Sequence, residues 1–211
     1  QIDNNNNSIS GLEKSLDENL KKTPKSIRLT VDKDIQFLIR KELVKFNEIF
    51  STKGSAVILM NVNNGEILSL VSLPDFDLNK RERITNVNFI NRASKGVYEF
   101  GSVFKTFTLA AAFDQNIIEP ETQFVDLPKS LSCAGFPIRE YDDKIPSNLT
   151  AAQILIRSGN IGSVRIGQKV GEEKFKLFLS KLGLLEKINF DIEEVGKPIK
   201  FNRGKCPLAT A

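Results

Sequence analysis

The chain has 211 residues, 40% of them hydrophobic and 27% charged, with a net charge of +4. That composition is ordinary for a globular protein and leaves room for one sizeable core or one domain with an appendage. The basic residues are scattered rather than blocked, which argues against nucleic acid as a partner. No histidine is present, so a Ser-His-Asp triad, a Cys-His pair and a His-ligated zinc site are all excluded.

Residues 1–26 are polar, with Asn4 to Asn7 in a row, and are expected to form a linker or the end of a preceding module. Ile27 to Val31 alternates like a short strand. Asp32 is the expected N-cap of a helix running to about Phe50. On one face of it lie Ile35, Leu38, Ile39, Leu43, Phe46, Ile49 and Phe50, a stripe expected to pack into the core. Ser55–Met60 and Glu66–Val71 read as apolar strands. Asn63-Asn64-Gly65 between them tolerates positive φ, so the pair is expected to be a β-hairpin. Leu73-Pro74 ends the sheet, and a polar loop is expected to about Gly101.

From Ser102 the apolar pattern turns helical, through Phe104, Phe107 and Leu109 to Phe113. Residues 116–149 read as loops with short extended pieces. Thr150 is the expected N-cap of a helix that stops at Ser158-Gly159-Asn160. Two more helices are expected, about Ile161–Val170 and Glu172–Leu182, punctuated by Gly171 and Gly183. Cys133 and Cys206 are few and far apart, and are expected to be ordinary small residues rather than a bridge. No stretch has the length of a membrane span and no signal peptide opens the chain. Gln1 is not an initiator, so the chain is read as a segment of a longer protein whose missing targeting signal says nothing about compartment.

The chemistry is carried by Ser102-Val-Phe-Lys105. Residues at i and i+3 share a helix face, which sets Lys105 beside the Ser102 hydroxyl as the remaining means of taking its proton. Gly101 lets the backbone approach a ligand closely, and a helix N-terminus favours negative charge on the hydroxyl oxygen and on an oxyanion. Lys105 acts as a base only when neutral, which requires burial or a cationic neighbour. Phe104, Phe107 and Leu109 are candidates for that burial. Ser158-Gly-Asn160 forms a second polar cluster. Its serine is placed to relay a proton, and its amide to hold Lys105 and a substrate carbonyl. Alone, that cluster reads equally as a helix cap.

Together these pieces resemble the penicillin-recognising serine transferases, most closely the transpeptidase domain of class B penicillin-binding proteins. The resemblance runs through Gly11-Leu-Glu13, Leu29-Thr-Val-Asp32, Gln36, Gly65-Glu-Ile-Leu68, Ser72–Asp77, Asn91-Arg-Ala93, Tyr98–Lys105 and Ser158-Gly-Asn160. The family often has Pro at the position of Phe100 and Ser at that of Gly159, and neither change removes a catalytic group. The resemblance implies a mixed α/β (α+β) fold like that of serine β-lactamases and D,D-transpeptidases. An antiparallel sheet is flanked by helices, with a helical subregion between the two motifs, and is incomplete here. It implies a domain over 27–211 with catalytic Ser102, Lys105, Ser158 and Asn160, substrate-binding Gly101, Ser158 and Asn160, and neither metal nor organic cofactor. The implied activity is peptidoglycan D,D-transpeptidation in septal wall synthesis, with D-Ala-D-Ala stem peptides as substrate and β-lactams as mimics. Implied partners are cell-division membrane proteins and a glycosyltransferase. The implied location is the periplasmic face of the inner membrane, with the anchor outside this segment.

Other readings remain open: an elongation-type relative, a class D-like β-lactamase or β-lactam sensor, and a non-catalytic cell-wall scaffold. The first 31 residues and Gly11-Leu-Glu13 argue against the β-lactamase, and the intact Ser102, Lys105, Ser158 and Asn160 set argues against the scaffold. The family's third motif, Lys-Thr/Ser-Gly on an edge strand, is absent. Gly196-Lys197 and Gly204-Lys205 have the wrong order. The 211-residue segment alone is therefore expected to acylate poorly, since losing one oxyanion donor costs about 10²–10³ in rate. Extending it through the next Lys-Thr/Ser-Gly is expected to restore acylation by penicillin and raise Tm. Equal acylation rates for the bare and extended chains would refute this.

Overall fold

A computed structural model of the chain describes residues 11–22, 26–77, 90–133 and 135–199. They form two compact units, one running to Val97 and including Lys187–Lys197, the other Tyr98–Glu186. Asn4–Asn7, much of the loop after Asp77, Gly204-Lys205 and Cys206 lie outside the described residues.

The first unit begins with helix α1 (Gly11–Lys22), inside the stretch expected to be a linker or the end of a preceding module. It is tied to the 193–194 segment: Gly11 N–H donates to Glu194 Oε1 at 3.3 Å and Glu193 N–H to Ser15 Oγ at 2.9 Å. Helix α2 (Lys33–Phe50) starts where Asp32 predicts, its carboxylate accepting from the N–H groups of Asp34 and Ile35. Ser51 ends it in the left-handed conformation, φ 49°.

Strands β1 (Ser55–Met60) and β2 (Ile67–Leu73) form the expected antiparallel hairpin. Gly65, φ 77°, makes the turn, and its N–H reaches Asn61 O at 2.8 Å. Gln36 works as a substitute strand partner for the far edge of β2. Its Nε2 donates to Leu70 O at 2.8 Å, and its Oε1 accepts from Leu70 N–H at 2.9 Å and Ser69 Oγ at 2.7 Å. Asp32 N–H and Thr30 Oγ1 add bonds to Leu68 O and Ile67 O. A side chain thus satisfies strand groups that would otherwise form an open edge.

The expected core packing of the α2 stripe is only half realised. Ile35, Ile39 and Leu43 are half-buried, while Leu38, Phe46, Ile49 and Phe50 are exposed. No residue of α2 is fully buried. Among the described residues only a two-stranded ribbon is present to cover the stripe, and it reaches one side of it. An open groove of about 390 Å³ remains, lined by Leu38, Ile39, Glu42, Leu43, Phe46 and Val57.

The second unit is built around α3 (Lys105–Asp114), preceded by a 3-10 turn over Gly101–Phe104. Two antiparallel ribbons follow: β3 (Gln123–Phe124) with β6 (Leu149–Thr150), and β4 (Ser130–Cys133) with β5 (Phe136–Arg139). The short extended pieces expected in 116–149 are these strands. Among the described residues the strands form three separate two-stranded antiparallel sheets. Helices α4 (Ala151–Ile156), α5 (Asn160–Val170) and α6 (Glu172–Lys181) complete the unit, close to the expected bounds. Thr150 caps α4 in a capping box: its hydroxyl accepts from Gln153 N–H, and Gln153 Oε1 accepts from Thr150 N–H.

The core of this unit joins Leu109, Ala111 and Ala112 of α3 to Ile154, Ile161, Ile166 and Leu179, all at most 2% exposed. The sequence reads Cys133 as an ordinary small residue rather than part of a bridge. It is instead buried and disulfide-bonded.

Helices α4 and α5 meet where Gly162 faces Ile154. A Cβ on Gly162 would sit 2.6 Å from Ile154 Cγ1, whose side chain is fully buried and has nowhere to move. Gly162→Ala is expected to cost about 1–3 kcal/mol through overpacking, despite the better helix propensity of alanine. At Gly159 the corresponding contact is an ordinary 3.6 Å and φ is −62°, so Gly159→Ala is expected to stay within about 0.5 kcal/mol. Thermal denaturation of the two variants measures the contrast, and equal melting temperatures would contradict it.

Candidate active site

Ser102 lies in the 3-10 turn rather than in the α-helix expected from the pattern, and Lys105 is the first residue of α3. In a 3-10 turn residues at i and i+3 eclipse, so the spacing again places the two on one face. Lys105 N–H closes the turn onto Ser102 O. Gly101 enters it with φ 54°, a conformation in which a Cβ would be strained. Ser102 is exposed, whereas Lys105 is 3% exposed.

The Lys105 ammonium crosses to the turn between α4 and α5. Nζ donates to Ser158 O at 2.6 Å, to Ser158 Oγ at 3.1 Å and to Asn160 Oδ1 at 2.5 Å. An ammonium has three donors, so this set uses all of them. Ser158 has φ 50°, a left-handed conformation uncommon for a non-glycine residue. That conformation turns both its carbonyl and its hydroxyl toward one nitrogen. Of the expected site residues, the fold brings Lys105, Ser158 and Asn160 together. Ser102 stands one turn before Lys105, with no hydrogen bond joining the two side chains among the described residues. Gly101 forms the bend before Ser102.

Sequence reasoning missed Glu140, in the segment after β5. Its Oε2 accepts from Asn160 N–H at 2.6 Å and its Oε1 from Ile161 N–H at 3.0 Å. Gly159 has no side chain to cap α5, so a carboxylate from 20 positions earlier takes that role. Asn160 Nδ2 in turn donates to Arg139 O at 2.8 Å. The signal available was an acidic residue shortly before the second motif, in a stretch without periodicity.

Burial pushes the Lys105 amine below its ordinary pKa, and the Glu140 carboxylate opposes this more weakly. The site therefore holds a lysine with a raised neutral fraction, a hydroxyl and an amide in bonding contact with it, and an exposed serine one turn away. That set suits acyl transfer through the serine.

The family model described as penicillin binding protein transpeptidase domain matches residues 55–205. Among curated proteins, the chain is 29% identical over 202 residues to the probable peptidoglycan D,D-transpeptidase FtsI of Caulobacter vibrioides, covering 94% of the chain and 34% of that protein. It is 30% identical to stage V sporulation protein D of Bacillus subtilis, covering 83% of the chain and 27% of that protein. The chain thus spans about a third of the length of the curated relatives it matches. Among solved structures, penicillin binding protein 3 of Mycobacterium tuberculosis superposes with TM-score 0.79 at 23% identity, over 92% of this chain and 46% of that one. The transpeptidase domain of penicillin-binding protein 3 of Burkholderia pseudomallei superposes with TM-score 0.65 at 26% identity, over 80% and 46%.

A lysine whose folded pKa lies below its ordinary 10.5 makes the folded state bind fewer protons than the unfolded state between those values. Stability from this group therefore rises with pH across that window and levels off above 10.5. Urea denaturation at stepped pH is expected to show the rise in the unaltered protein and its loss in Lys105→Met. An identical pH slope in the two proteins would refute the assignment.

Proposed function

The chain belongs to the penicillin-binding protein transpeptidase domain family, and from this we propose that it carries the acylation centre of a peptidoglycan D,D-transpeptidase. The observation that carries the reading is the Lys105 amine bonded to Ser158 and Asn160 one turn after an exposed serine. In the proposed reaction the neutral Lys105 amine takes the proton of Ser102 as its Oγ attacks the penultimate D-alanine carbonyl. The oxyanion collapses and the carbon–nitrogen bond breaks. The proton then passes from Lys105 through Ser158 Oγ to the departing nitrogen of the terminal D-alanine. An amine from a second stem peptide attacks the Ser102 ester; its proton returns through Ser158 Oγ and Lys105 to Ser102 Oγ as the ester carbon–oxygen bond breaks, which leaves a cross-link and the free serine. Asn160 holds Lys105 by its oxygen throughout. Gly101, Ser158 and Asn160 form the wall against which the substrate lies.

A division role is the favoured form of this proposal. It rests on the resemblance from Asn91 to Lys105 and on likeness to the Caulobacter protein named above. Cell-division membrane proteins and a glycosyltransferase are the proposed partners. The proposed location is the periplasmic face of the inner membrane. Among the described residues no helix is long and apolar enough to cross a membrane, so any anchor is assigned outside them.

In the full-length protein that contains this chain, labelled penicillin is expected to attach to Ser102 and to persist as an acyl-enzyme. Ser102→Ala should abolish labelling with folding intact, and Lys105→Ala should slow it by roughly 10²-fold or more. Intact-mass analysis reads both. Normal labelling of Ser102→Ala would identify another nucleophile, and rapid release of hydrolysed penicillin would favour the β-lactamase reading.

A further inference from the structure

We propose that Glu140 is a positioning residue of this centre, setting through the first turn of α5 where Asn160 and Lys105 meet. The inference rests on the acylation reading above and adds a residue to it. Glu140 and its neighbour Arg139 grip Asn160 at two points. The carboxylate takes the Asn160 backbone N–H at 2.6 Å, and the Arg139 carbonyl takes side-chain Nδ2 at 2.8 Å. With Nδ2 committed to a carbonyl, the amide has one orientation, and Oδ1 faces the Lys105 ammonium at 2.5 Å. The second carboxylate oxygen holds Ile161 N–H at 3.0 Å, so the first turn of α5 is fixed as well as the side chain.

A carboxylate suits this place for two physical reasons. A carboxylate offers a separate oxygen to each of the two adjacent N–H groups at the helix start, whereas an amide offers one oxygen to both. Negative charge is also favoured at a helix N-terminus. Gly159, the residue before the helix, has no side chain to do this. A Cβ built on Gly159 would stand 3.6 Å from Glu140 Oε1, an ordinary contact distance, so the carboxylate lies beside the turn that presents Ser158 and Asn160. Its field also reaches Lys105. Among the described residues Glu140 is the charged group that raises the proton affinity of that amine against the effect of burial. Ser158 and Asn160, from the α4–α5 turn, face Lys105 with neutral acceptors only.

The test is the rate of acylation by labelled penicillin, against pH, in the full-length protein and its Glu140→Gln and Glu140→Asp variants. Glu140→Gln is expected to slow acylation tenfold or more, up to about 10² for a misplaced catalytic group. It is also expected to move the acid limb of the profile to lower pH, since the charge that holds the proton on Lys105 is gone. A merely structural loss would lower the rate and leave that limb in place, and this outcome overturns the proposal. Glu140→Asp keeps the charge but is too short to span both N–H groups, so acylation should slow several-fold with the acid limb unmoved. A wild-type rate in Glu140→Asp overturns the proposal even if Glu140→Gln does not fold. Absence of labelling in the unaltered protein would instead overturn the acylation reading on which this one rests.

Discussion

A buried ammonium must have its donors accepted, and Lys105 meets that requirement across the fold rather than along its own helix. Its bonds to Ser158 and Asn160 tie the start of α3 to the turn between α4 and α5, 53 and 55 positions later. Several features of the second unit bear on whether that crossing can form. The small residues Ala111 and Ala112 on α3, fully buried, let the neighbouring helices approach closely. The bare flank of Gly162 lets α4 and α5 close on each other at Ile154. The same constraint works chemically. Burial that demands three acceptors also disfavours the charge, and so lowers the Lys105 pKa toward its neutral form.

The turn itself is held from several directions. The capping box at Thr150 fixes the start of α4, and the left-handed backbone of Ser158 ends it. Glu140 fixes the start of α5. Glu140 follows directly on the ribbon of β4 and β5, which carries the disulfide-bonded Cys133. A strained φ at Ser158 persists because its surroundings over-determine it, and it sits where one residue must present two oxygens to one nitrogen.

The first unit solves a different problem. A two-stranded ribbon has two open edges, and here Thr30, Asp32 and Gln36 satisfy one of them with side-chain and backbone groups. Among the described residues, no strand pairs with the opposite edge, along β1, and the outer half of the α2 stripe is exposed. Large apolar side chains such as Phe46 and Phe50 stack on each other, their ring centroids 4.5 Å apart, rather than on a sheet. That is why the apolar period of α2 located the helix correctly yet overstated its burial: periodicity reports which face is apolar, not how much partner surface is there to cover it.

What the sequence determined by itself was local. The i, i+3 spacing of Ser102 and Lys105, the caps at Asp32 and Thr150, the turn at Gly65 and the helix bounds all depend on residues within a turn or two of each other. Short-range sterics and hydrogen bonding decide such features before any tertiary contact forms. The motif order also made the family resemblance legible, with Ser158-Gly-Asn160 marked as a partner for Lys105. The tertiary structure alone decided that Glu140, from an aperiodic segment, caps α5. It also decided that Cys133 is bonded, that Lys105 spends all three donors on the α4–α5 turn, and that half of the α2 stripe is exposed. Each of these depends on which distant surfaces meet and how closely, and that is fixed by packing volume and by satisfying buried polar groups, quantities that no local spacing encodes.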